Sequence, residues 1–325
     1  DWPWLSAIEG QFHHVSWEGF RFYDLIFPLF MFVSGVAIPY AIHSKLEKGV
    51  PAKLLFKKIF IRLIALVVFG IIYNKTLRNG FSDVRFASVL GQIGFGYFFA
   101  ALIFLYTKKI RRTVYWLVGI MAGVTILHMF VPVPGSGAGT FEKGTNINAW
   151  IDRFILGGAD PEGILCMVSA IAITLMGALA GYLIRSIDVS QHRKALYLLV
   201  SGSVLIVTAL LLSPYYPIIK KMWTVTFIML TGGISAILLS VFYYFIDVKG
   251  YKNWTLFFRV FGMNSITIYM AARIIDFHDI SRFFLNWTSV HINEQWGALF
   301  IACGVLVLQW ALMLFLYKRK IFLRV

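Results

Sequence analysis

The chain has 325 residues, of which 59% are hydrophobic and 14% charged, and its mean hydropathy is +0.76. This composition excludes a water-soluble domain, because too few polar residues remain to cover a surface, and it indicates the lipid bilayer as the solvent. The formal net charge of +15 does not indicate a nucleic-acid partner, because the basic residues stand in short runs between apolar segments.

Nine apolar segments are long enough to cross a bilayer at about 20 residues per crossing. They are predicted to be helices, because open sheets leave backbone groups unpaired in lipid. In chain order the predicted spans are 22–43, 54–74, 87–107, 113–131, 164–185, 195–213, 222–246, 255–275 and 297–317. The predicted fold is therefore all-α, a polytopic transmembrane helical bundle forming a single domain over residues 1–325.

The loops between these spans differ in their content of lysine and arginine. One set holds 18 such residues and the alternate set holds 9. The richer set comprises loops 44–58, 108–112, 185–194 and 247–254 and the C-terminal tail. The positive-inside rule places this set in the cytoplasm. We therefore expect residues 1–21 and the longest loop, 132–163, on the non-cytoplasmic side.

The stretch "HHVSWEGFRFYDLIFP", residues 13–28, brings two histidines and an aspartate to the outer lip of the first predicted span. Asp24 could simply favour the helix N-terminus through the helix dipole. It could instead orient and charge a histidine for acid–base chemistry, with the entering loop folding His14 back onto it. The two histidines beside Trp17 make the second interpretation a hypothesis worth testing.

Further polar residues in or near the predicted spans have both structural and functional interpretations. Asp160 and Glu162, in "DPEG", could start a helix with Asp160 as the N-cap, or could contact a substrate. Asn264 and Ser265, in "GMNSITIY", could join helices by hydrogen bonds or contact a ligand. Two arginines nearer the cytoplasmic ends, Arg62 and Arg259, could snorkel or bind an anion.

No motif for a metal ion or a nucleotide phosphate is visible in the sequence. The two cysteines, Cys166 and Cys303, lie in apolar segments, which argues against both a disulfide framework and a thiolate metal site. We therefore predict no metal cofactor. The chain opens on Asp1 instead of Met, which is typical of a fragment of a longer chain.

Several of these motifs, taken together and in order, resemble the heparan-α-glucosaminide N-acetyltransferase family, including its bacterial sugar-acetyltransferase-like relatives. The matching pieces are "HHVSWEGFRFYDLIFPLFMFVSG", "VRFASVLGQIGFGYF", "DPEGILCMVSAIAITLMGALAG", "DVKG" and "GMNSITIY". The family's catalytic histidine stands in a His-x-Ser-Trp-x-Gly context, which here is the context of His14. Family members begin with a further membrane helix, so we expect one more N-terminal helix before this chain.

The resemblance implies acetyl transfer across a membrane, from cytoplasmic acetyl-CoA to an amino sugar on the other side. It implies a multi-pass protein of the bacterial inner (cytoplasmic) membrane with no nucleic-acid partner, and it leaves a homodimer open. Within this framework the catalytic candidates are His14 and Asp24. The candidates for binding the acceptor substrate are Trp17, Arg85, Asp160 and Glu162. The candidates for binding acetyl-CoA are Arg62, Gln92, Arg259, Asn264 and Ser265.

The main alternative from another class is a multi-pass transporter or flippase for a small sugar-like solute, which would also place polar residues within the membrane. The inverted repeats that many such proteins carry are not visible in the sequence. A purely structural membrane protein is a third possibility. For the acetyltransferase two mechanisms stay open, because His14 could carry the acetyl group itself or act only as a general base.

Overall fold

The computed structural model describes residues 9–74, 88–107, 109–158, 160, 162–291 and 294–323, and helices dominate this part of the chain. Among the described residues, eight α-helices lie before residue 250: α1 (Phe22–Leu46), α2 (Ala52–Tyr73), α3 (Val89–Tyr106), α4 (Ile110–Phe130), α5 (Ile147–Leu156), α6 (Ile164–Arg185), α7 (Gln191–Leu212) and α8 (Val225–Tyr243). Four follow it: α9 (Thr255–Met263), α10 (Ser265–Ile274), α11 (Phe277–His291) and α12 (Glu294–Lys318).

Seven helices among the described residues are long and apolar enough to cross a membrane, by length and composition. They are α1, α3, α4, α6, α7, α8 with its π-helical continuation to Val248, and the Trp296–Lys318 part of α12. The predicted all-α polytopic bundle is confirmed. The predicted number of spans, nine, was approximate. Helix α2 has the length of a span, but its first half carries three lysines and Arg62.

The segment 255–275, predicted as one span, is two short helices that meet at Asn264. The side chain of Asn264 is buried and turns toward the C-terminal tail. Its amide nitrogen donates to the carbonyl oxygen of Ile321 at 3.1 Å, and its amide oxygen accepts from the backbone N–H of Leu323 at 3.4 Å. The prediction of one continuous helix here is therefore wrong, because hydrophobic length alone does not reveal a polar residue that recruits a distant backbone segment.

The described residues form two compact units, Asp1–Lys249 and Gly250–Val325. In the first unit, α1 packs on α6, α7 packs on α8, and α3 packs on both α2 and α6. Helix α6 is central, and most of its residues are buried against these neighbours. In the second unit, α11 packs along α12, and the hydroxyl of Ser281 donates to the carbonyl oxygen of Ile301 at 2.7 Å.

Glycines bring the backbones of α1 and α6 into direct contact. A methyl group added at Gly177 would collide with the carbonyl oxygen of Phe32. A methyl group at Gly35 would likewise collide with the carbonyl oxygen of Thr174. Close approach of this kind requires a residue without Cβ. It fixes α1, and with it Asp24 in the first turn of α1, against the most buried helix of the unit.

Candidate active site

His14 and Asp24 form a close pair at the N-terminal end of α1. The Nδ1 atom of His14 lies 2.6 Å from Oδ1 of Asp24, and the Asp24 side chain is fully buried while the His14 side chain is half-exposed. The other carboxylate oxygen of Asp24 accepts the backbone N–H of Arg21 at 3.1 Å. The sequence-based proposal that the entering loop folds His14 back onto Asp24 agrees with this geometry, and the neighbouring His13 is exposed.

Lys220 completes this cluster, although it is 206 residues away from His14 in the chain. Its Nζ atom lies 3.2 Å from Asp24 Oδ1, 3.0 Å from His14 Nδ1 and 3.5 Å from His14 Nε2. The Lys220 side chain is 19% exposed. Burial lowers the pKa of its ammonium from the ordinary value, and the attraction of Asp24 opposes that shift.

The three groups determine which nitrogen of His14 carries a hydrogen. Two bare acceptors would repel each other at 2.6 Å, so a hydrogen lies between His14 Nδ1 and Asp24 Oδ1. Asp24 is ionised next to the Lys220 ammonium and the Arg21 N–H, so this hydrogen belongs to His14 Nδ1. The Nε2 atom therefore keeps its lone pair, which is what a general base or a nucleophile requires.

Backbone contacts hold the His14 segment against the Lys220 segment. The N–H of Gly19 donates to the carbonyl oxygen of Ile218 at 2.9 Å, and Glu18 forms an isolated β-bridge with Ile219. Next to this bridge a short 3₁₀ turn, Lys220–Met222, leads into α8. The cluster is therefore built where two loops join, one before α1 and one before α8.

A cavity of about 260 Å³ opens beside these loops. It is lined by Trp17, Lys143, Gly144, Asn146, Asn148, Ala149, Asp152, Asp160 and Lys221. Trp17 is fixed at its rim, because its indole N–H donates to the carbonyl oxygen of Phe141 at 2.7 Å. Lys221 adjoins Lys220 in the chain, and its ammonium donates to the carbonyl oxygen of Ser16 at 3.3 Å. The cavity thus shares its wall with the segments that carry His14 and Lys220.

Asp152, which sequence reasoning did not single out, is a buried carboxylate in this cavity. Its Oδ1 atom accepts the N–H of Ile164, the first residue of α6, at 2.9 Å. Its carboxylate leaves no room for a side chain on Gly163. Burial raises the pKa of Asp152, although the hydrogen bond from Ile164 works in the opposite direction.

Asp160 and Glu162, predicted on the outer face, lie in the turn before α6. The expected N-cap at Asp160 is wrong, because α6 begins at Ile164 with Gly163 as its N-cap and Asp152 satisfies the first N–H. The Oδ1 atom of Asp160 instead accepts the N–H of Glu162 at 2.8 Å, and the residue lines the cavity.

A buried polar network, also missed from sequence, supports the inner wall of the cavity. His128 at the end of α4 is 1% exposed, with Nε2 at 2.8 Å from Asn148 Oδ1 and Nδ1 at 2.5 Å from the hydroxyl of Tyr216. The amide nitrogen of Asn148 donates to the carbonyl oxygen of Met222 at 3.1 Å. Burial raises the pKa of Tyr216, so it remains a neutral hydroxyl. The network fixes the Asn148 amide that faces the cavity.

The residues predicted to bind acetyl-CoA are distributed over both units. In the first unit, the guanidinium of Arg62 lies 4.0 Å from the centre of the Tyr97 ring, and its Nε has no hydrogen-bond partner in the structure. Gln92 is fully buried, and its amide nitrogen donates to the carbonyl oxygen of Cys166 at 3.0 Å, while its Oε1 has no partner. Arg85, which was predicted to bind the acceptor substrate, lies outside the described residues.

In the second unit, the predicted acetyl-CoA residues make contacts within that unit. Arg259 donates to the hydroxyl of Tyr317 at 2.6 Å. Asn264 holds the C-terminal tail, as described above, and accepts the hydroxyl of Thr267 at 3.3 Å. Ser265 is the first residue of α10.

Fold and site together define a class: a multi-pass helical membrane protein with a histidine, a buried carboxylate and a lysine clustered beside a cavity that amide and charged residues help to line. No protein-family model matches the chain. The human protein named heparan-alpha-glucosaminide N-acetyltransferase is 28% identical to it over 97% of the chain, and the mouse protein of the same name is 26% identical over 97%.

The chain is therefore similar to these two proteins along nearly its whole length, which confirms the resemblance. It spans 56% of the length of each of these two curated relatives.

Proposed function

We propose that this chain is a membrane-embedded acetyltransferase that moves an acetyl group from acetyl-CoA to an amino sugar. The observation that carries the proposal is the His14–Asp24 pair, in which His14 Nε2 keeps its lone pair at 3.5 Å from Lys220 Nζ, beside a cavity lined by amide and charged side chains. The name of the human and mouse relatives supports both the acetyl transfer and a glucosaminide acceptor.

The cavity is suited to an amino sugar. Trp17 offers an aromatic face, and Asp152 and Asp160 offer carboxylate oxygens to hydroxyl groups or an ammonium. The Asn148 amide, held by His128, adds a fixed polar contact. A volume of about 260 Å³ suits a terminal sugar unit better than a long glycan, so we expect the rest of a glycan acceptor to remain outside the cavity.

The chemistry requires one proton to be moved for each acetyl group. The neutral amine of the sugar attacks the carbonyl carbon of the thioester, and His14 Nε2 takes the proton that the nitrogen loses as the N–C bond forms. The C–S bond then breaks, and the proton passes from Nε2 to the departing sulfur, which leaves as the CoA thiol. Asp24 holds the ring through Nδ1 and stabilises the imidazolium in between.

A variant of this chemistry uses the same nitrogen as a nucleophile. His14 Nε2 would attack the thioester, CoA would leave, and the acetyl-imidazole would then acetylate the amine. The two routes differ in whether CoA is released before the acceptor is added. Rapid quench with labelled acetyl-CoA alone would release one equivalent of free CoA per protein in the second route and none in the first.

Acetyl-CoA is proposed to enter from the cytoplasm, where the basic loops are expected. Arg62 supports this path, because its Nε is buried without a partner and a phosphate or carbonyl oxygen would satisfy it. Gln92 supports it as well, since its unpaired Oε1 could accept an amide N–H of the pantetheine arm. Arg259, Asn264 and Ser265 remain candidates for the donor.

The test is incubation of the full protein with labelled acetyl-CoA and glucosamine, followed by chromatography of the sugar. We expect N-acetylglucosamine to form with the wild type and not with the His14→Ala variant. Uptake of unmodified sugar without any acetylated product would instead support the transporter, and would contradict the proposal.

A further inference from the structure

Lys220 has no part in the chemistry above, although its ammonium touches both members of the catalytic pair. We infer that Lys220 is a positioning residue that acts through His14, keeping Asp24 ionised while opposing protonation of the imidazole. This role rests on the proposed acetyl transfer for its purpose, but its physical content can be measured without that reaction.

A histidine paired only with a buried carboxylate would be easy to protonate, because the negative charge favours the imidazolium. An imidazolium cannot take a proton from an amine, so such a pair would hold the base in its inactive form. The Lys220 Nζ, 3.0 Å from His14 Nδ1 and 3.5 Å from Nε2, places a like charge beside the ring. It thereby cancels much of the effect of Asp24 on the charge of the ring, while the hydrogen bond that orients the ring remains.

The ammonium is held in this position by the fold. The backbone N–H of Ile219 donates to the hydroxyl of Thr224 at 3.1 Å, and Trp223 is 1% exposed with a positive φ of 51°. A tryptophan adopts that conformation only where its surroundings require it. These contacts close a tight turn around Lys220, and its side chain is 19% exposed with Nζ at 3.2 Å from Asp24 Oδ1.

Other charged and titratable groups also face the cluster and must be counted. The Arg21 guanidinium donates to the backbone carbonyl oxygen of His14 at 3.4 Å, and the Tyr23 ring lies 4.5 Å from the imidazole. Glu162 raises the pKa of Lys220, and Lys221 lowers it. Among these groups Lys220 is the cation that lies within 3.5 Å of a ring nitrogen of His14.

The inferred role also has a consequence later in the reaction. Once Nε2 has taken the proton of the amine, an imidazolium and an ammonium share one carboxylate. Their repulsion favours transfer of the proton to the departing sulfur, which restores the free base for the next cycle. Lys220 itself gains and loses nothing in this step.

The direct test is the pH dependence of diethyl pyrocarbonate modification, because this reagent reacts with the unprotonated imidazole. The full protein is treated at a series of pH values, and the peptide that contains both histidines is sequenced by mass spectrometry. His13 is exposed and adjacent, so it provides an internal control in every sample. Lys220→Met removes the charge and keeps an apolar stem of similar length.

In Lys220→Met we expect the pH midpoint of His14 modification to rise, because the like charge next to the ring is removed while Asp24 remains. The His13 midpoint should stay in place, and Lys220→Arg should restore the His14 midpoint. Lys48→Met, in the exposed turn after α1, should change neither midpoint. Thermal unfolding shows whether each variant is folded, and Lys220→Gln replaces Lys220→Met if that variant is not.

An unchanged His14 midpoint in a folded, uncharged variant would overturn the inference. Acetyl transfer is measured on the same preparations, and we expect the acid limb of its pH profile to move with the His14 midpoint. Absence of acetyl transfer in the wild type would contradict the proposed function, while the modification midpoints would still decide the role of Lys220.

Discussion

Two adjacent histidines with the same chemistry differ in what surrounds them. The Nδ1 atom of His14 is paired with Asp24 and its Nε2 atom lies 3.5 Å from Lys220 Nζ, while His13 is exposed outside the pair. A catalytic base needs an orienting partner on one nitrogen and access to substrate on the other. The half-exposed His14 has the orienting partner in Asp24, which makes it the candidate for this role.

The first prediction follows from this difference. His14→Ala should lower the rate of acetyl transfer by about 10²–10⁴-fold, the usual cost of removing a general base, while acetyl-CoA still binds. His13→Ala should retain most of the activity. The measurement is steady-state kinetics on both variants together with donor binding. Loss of activity in His13→Ala with retention in His14→Ala would reverse the assignment.

The second prediction concerns the donor. Arg62→Ala should raise the KM for acetyl-CoA by about 10-fold, which corresponds to loss of one charge-assisted hydrogen bond, and should leave the KM for the acceptor nearly unchanged. The measurement is initial rates with each substrate varied in turn. Unchanged donor kinetics in both Arg62→Ala and Arg259→Ala would remove these two residues from the donor site.

At the scale of elements, the start of α6 joins the cavity to the core. Asp152 reaches from α5 to the first N–H of α6, and the Gly177 and Gly35 contacts hold α6 against α1. Both Asp24 and Asp152 therefore depend on the position of one helix. Substitutions at the start of α6, or at the glycines in its contact with α1, should therefore alter the site by moving this helix.

The third prediction uses the raised pKa of Asp152. The folded state binds this proton more tightly than the unfolded chain does, so the contribution of Asp152 to stability is fully present below its unfolded pKa of about 4. This contribution is lost as the pH rises through the pKa of Asp152 in the folded protein. Asp152→Asn keeps a neutral oxygen for Ile164, so its melting temperature relative to wild type should increase as the pH rises through this window.

Thermal unfolding of both proteins in the same detergent at several pH values checks this prediction. Ser190→Ala, at the start of α7 and without a titratable group, controls for the general effect of pH on the fold. A difference between Asp152→Asn and wild type that stays constant or shrinks with rising pH would contradict the predicted sign.

The fourth prediction concerns the contact between α1 and α6. Gly177→Val places a branched side chain against the backbone of Phe32, and overpacking of this kind costs about 1–3 kcal/mol or more. Gly119→Val in α4 is the matched control, because a methyl group there meets nothing within 4 Å. Thermal unfolding should show a large loss for Gly177→Val and little change for Gly119→Val. Equal losses would show that the close contact is not the cause.

At the scale of the whole molecule, hydrophobic length accounts for most of what could be predicted. Apolar runs of about 20 residues have few alternatives to a membrane helix, so the polytopic bundle could be inferred from sequence. The break at Asn264 could not, because its cause is a hydrogen bond to a backbone segment 57 residues later. Local patterns do not contain such distant partners.

The candidate site, like the fold, could be predicted from the sequence only in part. His14 and Asp24 are ten residues apart in one motif, so their pairing could be proposed from sequence. In the sequence, Lys220 is only one of the nine lysines and arginines in the loops expected outside the cytoplasm. Tertiary packing brings it to the pair, 206 residues away from His14 in the chain. Asp152 was likewise hidden in a short amphipathic helix, where an acidic residue normally faces solvent.

The proposed reaction is transfer across a membrane, from a donor on the cytoplasmic side to an amino sugar on the other. The most direct test uses sealed proteoliposomes of uniform orientation, with glucosamine trapped inside and labelled acetyl-CoA outside. When the C-terminal tail faces outward, labelled N-acetylglucosamine should accumulate in the lumen of wild-type vesicles and not in His14→Ala vesicles. Product that forms only when both substrates are on the same side, or only when the tail faces inward, would contradict the proposed direction of transfer.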